Sequence, residues 1–558
     1  MRAQAGPRDS DGLLVKAYAG TTTVALAFDI DKHARQGLLG FAVKRLDLDS
    51  DDPKRRSGRF LSAMLRFPQT PKPADGEAIA TDICPIQKFR WSDYTVLAGN
   101  RYRYEVHPVS GAWNTPELGE PITLDVKTHA ISEKGGAIFN RAVAASQAFA
   151  RKFADVIEEL KAAAKKKTVA EYVMPPKVLD WLSRGLAETI VGFLDSAGAG
   201  DGLDIAIYEF HLPLLVEAVK RAHHRGVEVR LLFHSKNDET SRENLHCAAS
   251  TGLPENRMFP RKTNAIMHDK FVVLRRKEGG RFQPKAVLCG STNWTHNGAY
   301  RQANVVHILT DMTACASYQA MFETLVETRD DVGRTRAWIN QNNKIDLSVD
   351  FFAGFSPRTG GGDLDTFARL IREAKRDLLF ATAFELPQEI LDALLGSEND
   401  KTLRLGVQNS ASAITGVHRD RTAQFAAAAL LDQGLEGWLK ETKAKQKGNI
   451  LIHTKAVLVD FTSDSPTIIS GSHNLSGAAS KSNDENYLVI KGDTDLADIY
   501  GCELLRIYDH YRYRYSTKTA KGTNRARPPM LTENDSWTDP YFTAGSQKQI
   551  DRLRFVGR

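Results

Sequence analysis

Hydrophobic positions change their period along this chain, and the changes mark out its parts. From Gly12 to about Ala130 apolar residues alternate with polar ones in short runs separated by turn residues: Leu14 to Asp29, Gly37 to Leu48, Lys88 to Val109 and Ile122 to His129. Period-two alternation is the mark of half-buried strands. Tyr102, Tyr104 and Val106 share one strand face just after the turn Leu97-Ala98-Gly99-Asn100. A small all-β sandwich is predicted over 12–130. Between Gly135 and Lys167 the spacing turns helical and ends in Lys165-Lys166-Lys167, before Pro175-Pro176. Residues 131–176 are therefore predicted to be a helical linker, with cations favoured at a helix C-terminus.

Beyond Pro176 the pattern is stated twice. Leu179, Leu182, Leu186, Ile190 and Phe193 recur at helical spacing. A strand Leu203–Phe210 ending in Tyr208-Glu209-Phe210 follows, then a helix Pro213–Arg225 and a strand Val227–Phe233. The second pass has a helix Leu364–Lys375, a strand Leu378–Leu386 ending in Phe384-Glu385-Leu386, a helix Pro387–Gly396 and a strand Leu403–Val407. Alternating strands and helices predict a mostly parallel sheet with helices on its faces in each half. The expected divisions are 177–345 and 346–510, followed by a basic C-terminal extension over 511–558.

Length and charge narrow this only a little. A chain of 558 residues exceeds what one core holds, and 42% hydrophobic with 26% charged residues excludes wholesale disorder or a coiled coil. No apolar run reaches the roughly 18 residues that a membrane span needs, and the polar start lacks the core of a signal peptide. A cytoplasmic location is the default expectation. Cys84, Cys247, Cys289, Cys315 and Cys502 never form C-x-x-C, which argues against a zinc ribbon or a disulfide framework. A net charge of +7 is compatible with polyanionic partners and decides nothing alone.

Specific chemistry enters where each pass ends. The first contains His268-Asp269-Lys270 running into Phe271-Val272-Val273-Leu274, then Gly290-Ser291-Thr292-Asn293. The second contains His453-Thr454-Lys455 running into Ala456-Val457-Leu458-Val459, then Gly471-Ser472-His473-Asn474. Residues i and i+2 of a strand point the same way, so each His and Lys share a face. Gly-Ser-x-Asn returns 22 residues after the first His and 18 after the second, bringing a hydroxyl and an amide. Paired imidazoles, ammoniums, hydroxyls and amides suit a phosphodiester, whose cleavage needs a nucleophile, a proton donor and stabilisation of phosphoryl oxygens. One His-x-Lys would mean nothing; two with matching followers are strong.

This pair resembles the HKD motifs of the phospholipase D superfamily, with the likeness spanning about Pro176 to His510. The resemblance implies an α/β fold of two pseudo-symmetric phospholipase D-like halves around one active site, here preceded by the sandwich. It implies a covalent phosphohistidine, no metal and no cofactor. It assigns catalysis to His268, Lys270, Asn293, His453, Lys455 and Asn474, and substrate binding to Ser291 and Ser472. The family's Asp seven residues after the His is present as Asp460 but is Arg275 in the first motif; an odd offset places it on the opposite strand face, so a structural role is expected. Asn483-Asp484-Glu485-Asn486 resembles the Glu-Asn of the superfamily's small bacterial nucleases, where the acid crosses to the other half's histidine. By that likeness Glu485 orients His268, and Gln302, from Arg301-Gln302-Ala303-Asn304, faces His453. The tyrosine-bearing strand likewise resembles that of a fibronectin type III domain.

Within the superfamily, the run from Ser472 to Ile490 looks most like the nuclease branch. Tyr511 to Pro529 holds six Lys or Arg, including Arg512 and Arg514, and no acid. Such a stretch can neutralise phosphates and stack on bases, or it is a solvated strand or tail. The expected activity is a metal-independent nuclease, an endonuclease on DNA or RNA. A phospholipase D or transphosphatidylase acting on phospholipid, and an inactive nucleic-acid- or protein-binding scaffold, are the alternatives. The sandwich could serve a protein partner or oligomerisation.

Overall fold

The computed structural model describes residues 2–7, 12–73, 77–131, 136–142, 149, 152–166, 172–396, 401–409, 423–427, 452–521 and 530–558. The N-terminal part is a two-sheet β-structure. One sheet pairs Arg2–Ala5, Leu14–Ala19, Val24–Asp29 and Arg90–Asp93 in that order; the other runs Arg59–Phe60, Gly40–Asp47, Arg101–Ala112, with both Thr115–Leu118 and Ile122–Lys127 pairing on the last. Tyr102, Tyr104 and Val106 face inward as the alternation predicts, and pack with Val15, Leu26, Phe28 and Phe41. The Tyr102 hydroxyl accepts a hydrogen bond from the Leu97 amide at 2.7 Å, tying the strand to the corner before it.

Each following half contains a seven-stranded sheet, and the two have the same strand order. The first runs Gly136–Phe139, Val305–Leu309, Arg281–Gly290, Lys270–Glu278, Gly202–Ile207, Glu228–His234, Met258–Arg261. The second runs Phe351–Ser356, Glu485–Lys491, Thr467–Gly471, Lys455–Val459, Asp377–Thr382, Leu403–Gln408, Ala423–Ala427. Strand neighbours correspond one to one, so the repetition in sequence is a repetition in topology. The apolar tails of the His-x-Lys runs lie at the middle of each sheet and are fully buried there.

Four expectations need correction. The sheets are mostly antiparallel, because each His-x-Lys strand turns back through a short hairpin, at Glu278–Arg281 in the first half, and only an antiparallel partner can follow so tight a connection. The linker is not all helical: Gly136–Phe139 is the edge strand of the first sheet, paired to Val305–Leu309. The expected helix from Leu179 to Phe193 is two helices, Pro176–Ser183 and Leu186–Asp195, broken where Arg184 and Gly185 both take left-handed backbone. Lastly, the segment read as a basic extension starts inside a helix, Thr494–Lys521, and residues 530–558 return to the sandwich. There Trp537 stacks on Phe89 with ring centroids 5.3 Å apart and its indole N–H donates to the Leu38 carbonyl at 2.8 Å. Arg552 donates to buried Asp29 at 2.6 Å. The buried faces of Trp537, Tyr541 and Phe555, with this ion pair, hold this end in place.

Asp460 and Arg275 act structurally, as their offset predicts. Asp460 takes left-handed backbone and its carboxylate accepts from the amides of Lys375 and Arg376 at 2.9 and 2.7 Å, closing the turn into Asp377–Thr382. Arg275 instead pairs with buried Asp204 at 2.8 Å and lies over the Phe282 ring.

Candidate active site

The two motifs meet where the halves abut. Met267 forms a parallel bridge to Asp484, and Ile452 forms the corresponding one to Ala303. The His268 amide donates to the Asp484 carbonyl and the His453 amide to the Ala303 carbonyl, both at 2.9 Å. Each histidine therefore sits just before its strand rather than on it, pinned by the opposite half. The imidazole centroids are 6.5 Å apart, within one chain. Arg261 locks the junction with two hydrogen bonds to the Asp484 carboxylate, at 2.6 and 2.8 Å, both side chains being buried.

Glycine explains the rest of the motif's geometry. Gly290 and Gly471 have φ of 156° and 152°, and a Cβ at either would lie 2.2 and 2.3 Å from the carbonyl oxygens of Val305 and Asn486. Only glycine permits that approach. The serine after each then reaches the neighbouring strand. Ser472 donates to Glu485 at 2.7 Å and accepts from the Asn486 amide at 3.0 Å; Ser291 donates to Asn304 at 2.8 Å and accepts from the Val305 amide at 3.1 Å. Both serines are fully buried. The expectation that they bind substrate is corrected: their hydroxyls hold the residues that orient the histidines.

Glu485 crosses to His268 as expected, its carboxylate 2.7 Å from Nδ1. The residue facing His453 is a second correction. His453 Nδ1 donates to Asn304 Oδ1 and to the Ser291 carbonyl, each at 3.0 Å, so Asn304, not Gln302, is the counterpart of Glu485. Gln302 lies one bridge away and its carbonyl accepts from Asn140. The reason is register: Glu485 follows Ser472 by 13 residues, and Asn304 follows Ser291 by the same 13.

Both histidines thus carry their proton on Nδ1, which leaves each Nε2 as the nitrogen for chemistry. They differ in what receives that proton: a carboxylate for His268, a neutral amide and a carbonyl for His453. Burial, then the Lys270 and Lys455 ammoniums, hold His268 far below the ordinary histidine range; burial and Lys455 do the same to His453. Burial lowers Lys270 and Lys455 as well. Burial pushes the Glu485 carboxyl up to about 7. Lys455 Nζ lies 2.9 Å from His453 Nε2, while Lys270 Nζ donates to the His268 carbonyl at 2.7 Å. Asn293 and Asn474 follow the strands Arg281–Gly290 and Thr467–Gly471, and Asn293 is almost fully buried.

Arg512 is exposed on the helix Thr494–Lys521, and donates to the Tyr508 hydroxyl at 2.9 Å. Arg514 belongs to the same helix; its side chain, with Arg525 and Arg527, lies outside the described residues. Among the described residues the metal-capable cluster is His129, Asp495 and Asp498, where Asp498 also pairs with Arg2 at 2.8 Å. It includes neither catalytic histidine.

Glu209 is a site residue that chemistry-first reading of the sequence missed. Its carboxylate accepts from Asn293 Nδ2, and its charge acts on both Lys270 and Lys455. Half-buried at the end of the strand Gly202–Ile207, it takes the amide donor that the motif would offer to a phosphoryl oxygen. An incoming phosphate has to displace it against like charge. Glu209→Gln is expected to lower the inhibition constant of inorganic phosphate by on the order of thirtyfold, because a unit charge several ångströms away in a partly buried site acts at roughly 2 kcal/mol. An unchanged constant would show that Glu209 plays no part in anion binding. The only signal in the sequence was the repeated Tyr208-Glu209-Phe210 and Phe384-Glu385-Leu386.

Comparison with known proteins gives the chain a family. A family described as "Cardiolipin synthase, PLD-like domain" matches residues 190–326 and 367–508, together half of the chain. The chain is 30% identical over 135 residues to a mitochondrial cardiolipin hydrolase of Drosophila melanogaster, covering 22% of this chain and 52% of that one. It is 28% identical over 134 residues to that of Chlamydomonas reinhardtii, covering 24% and 55%. The chain thus spans about half the length of the curated relatives it matches. Among solved structures it is similar to a phospholipase D family member, Nuc from Salmonella typhimurium, at 19% identity over 28% of this chain and 91% of that one, with a TM-score of 0.22.

Proposed function

Because the chain belongs to the phospholipase D-like family, we propose that it is a phosphodiesterase that cleaves nucleic acid without a metal, through a phosphohistidine on His268. The observation that carries the chemistry is the pair of imidazoles 6.5 Å apart, each fixed as its Nδ1–H tautomer, with a buried carboxylate behind His268 alone. Nε2 of His268 forms the N–P bond as the P–O bond to the leaving group breaks. Lysines and asparagines from both halves stabilise the phosphoryl oxygens. The leaving oxygen takes its proton from the Lys455 ammonium by way of His453 Nε2, 2.9 Å from it; His453 then takes a proton from the attacking water and returns it to Lys455 as the N–P bond breaks and His268 is released.

Nucleic acid is favoured by the nuclease-like run from Ser472 to Ile490 and by the acid-free basic stretch that begins at Tyr511. The names of the relatives favour a second reading, hydrolysis of cardiolipin or a related phospholipid. Among the described residues no helix is long and apolar enough to cross a membrane. The N-terminal sandwich we read as fibronectin type III-like, on its strand pairing and the Tyr102 corner bond, and as a site for a protein partner or self-association.

Purified protein incubated with plasmid, single-stranded DNA, RNA and vesicles of phosphatidylcholine or cardiolipin, each with and without millimolar EDTA, tests these readings. Cleavage of a nucleic acid that survives chelation is the expected result. Turnover of vesicles alone would transfer the proposal to phospholipid. Loss of activity in EDTA with recovery on adding magnesium or zinc would overturn the metal-free mechanism.

A further inference from the structure

The long helix Thr494–Lys521 carries a surface that the catalytic residues do not use, and its position relative to them can be followed bond by bond. Arg506 donates to the carbonyls of Arg141 and Asn140 at 3.2 and 3.4 Å. The Asn140 side chain accepts from the Asn304 amide at 2.9 Å, and Asn304 Oδ1 accepts from catalytic His453 at 3.0 Å. Arg506 is thus linked to catalytic His453 through Asn140 and Asn304. At about 1.5 Å per residue, Arg512 stands about 9 Å farther along the same helix.

Three separate stretches of chain converge there. Lys88 comes from the sandwich, Arg512 from the helix and Lys548 from the docked C-terminal segment, and all three are exposed. The charges of Arg90 and Arg512 act on Lys88, and those of Arg512 and Lys88 act on Lys548. Beneath them Arg90 binds Asp509 at 2.9 Å and Asp551 at 3.4 Å, so two carboxylates meet four cations and the surface keeps an excess of positive charge. Two of the cations lie over rings: Arg512 is 5.7 Å from the Tyr508 centroid and Lys548 4.9 Å from that of Tyr541. In sequence the helix goes on through Arg514, Lys518 and Lys521 with no acidic residue. Among the described residues of 505–512 and 530–558 no large apolar side chain is exposed.

We infer that the junction of Lys88, Arg512 and Lys548 is an exosite for the sugar-phosphate backbone of a nucleic acid, which it holds beside the catalytic histidines. This rests on the nucleic-acid reading above. Cations spaced over three elements neutralise successive phosphates, and the tyrosine rings beneath them fix where the charges stand. The same junction gives the sandwich a task, since it contributes Lys88 and supports the C-terminal segment that contributes Lys548.

The test measures binding without cleavage, in full-length protein carrying His268→Ala. Fluorescence anisotropy with a labelled single-stranded oligonucleotide is recorded over a series of salt concentrations for this protein, and for one that also carries Lys88→Gln, Arg512→Gln and Lys548→Gln. Three lost phosphate contacts are expected to weaken binding at low salt by on the order of a hundredfold, and to flatten the log–log salt slope by about 2, at about 0.7 per contact for single strands. A matched variant losing Arg103, Lys177 and Arg334, exposed cations elsewhere, is expected to bind as the parent does. Unchanged affinity and slope in the first variant, or an equal loss in the second, overturns the exosite. So does a variant that keeps its oligonucleotide affinity and instead loses binding to anionic vesicles. The active protein is assayed separately on the same oligonucleotide. Binding through this junction with no cleavage would retain the surface and refute the nuclease reading.

Discussion

His268→Ala is expected to lower turnover by on the order of 10⁴-fold or more and to form no covalent adduct, whereas His453→Ala forms the adduct and hydrolyses it slowly. The asymmetry follows from what each Nδ1–H meets. Once Nε2 of a histidine has bonded to phosphorus the ring is cationic, and a carboxylate 2.7 Å from its other nitrogen stabilises that cation far better than an amide oxygen does. Only His268 has the carboxylate. His453 Nε2 lies against the Lys455 ammonium, a contact suited to a group that exchanges protons. With a substrate whose leaving group needs no protonation, His453→Ala removes only the second half-reaction, so the adduct accumulates. Mass spectrometry of acid-labile phosphopeptides locates it. A phosphate found on His453, or an adduct in His268→Ala, would reverse the assignment.

How much of this was visible in the sequence depends on whether the information is local. The two His-x-Lys runs and their Gly-Ser-x-Asn partners are local patterns. Their apolar tails are sheet centres and their glycines allow close backbone approach, so the pairing of the halves could be read directly. Glu485 was reached by likeness and Gln302 by the wrong register, although counting 13 residues from each serine would have given Asn304. Glu209 could not be weighed, because its partner Asn293 is 84 residues away and only the folded chain brings them together. Gly136–Phe139 is four residues long and borrows its sheet from a strand more than 160 residues later, so no periodicity marks it as a strand. In the C-terminal part the run of Lys and Arg is the visible local pattern, whereas the apolar docking residues Trp537, Tyr541 and Phe555 are spaced too far apart to form one.

Glu485→Gln is expected to lower kcat/KM by about 10²- to 10⁴-fold at neutral pH, the range seen when the carboxylate orienting a catalytic histidine is neutralised in place. The amide can still contact Nδ1 and Ser472, so folding is retained, but it carries no charge to offset the phosphohistidine. The pH profile distinguishes this from a merely structural loss. Burial pushes the Glu485 carboxyl up to about 7, so it is charged above that pH and neutral below it. Wild-type kcat/KM should therefore fall as pH drops through about 7. His268 cannot supply that limb, because burial and the two ammoniums hold it well below its ordinary value and leave it neutral throughout this window. In Glu485→Gln the limb at about 7 should vanish while the remaining activity stays flat into mild acid. Asn304→Ala, which removes the uncharged counterpart at His453, should keep the limb and lose less activity. A profile in Glu485→Gln with the same acid limb as wild type would show that some other group titrates there, and that charge on Glu485 is not what makes His268 the nucleophile.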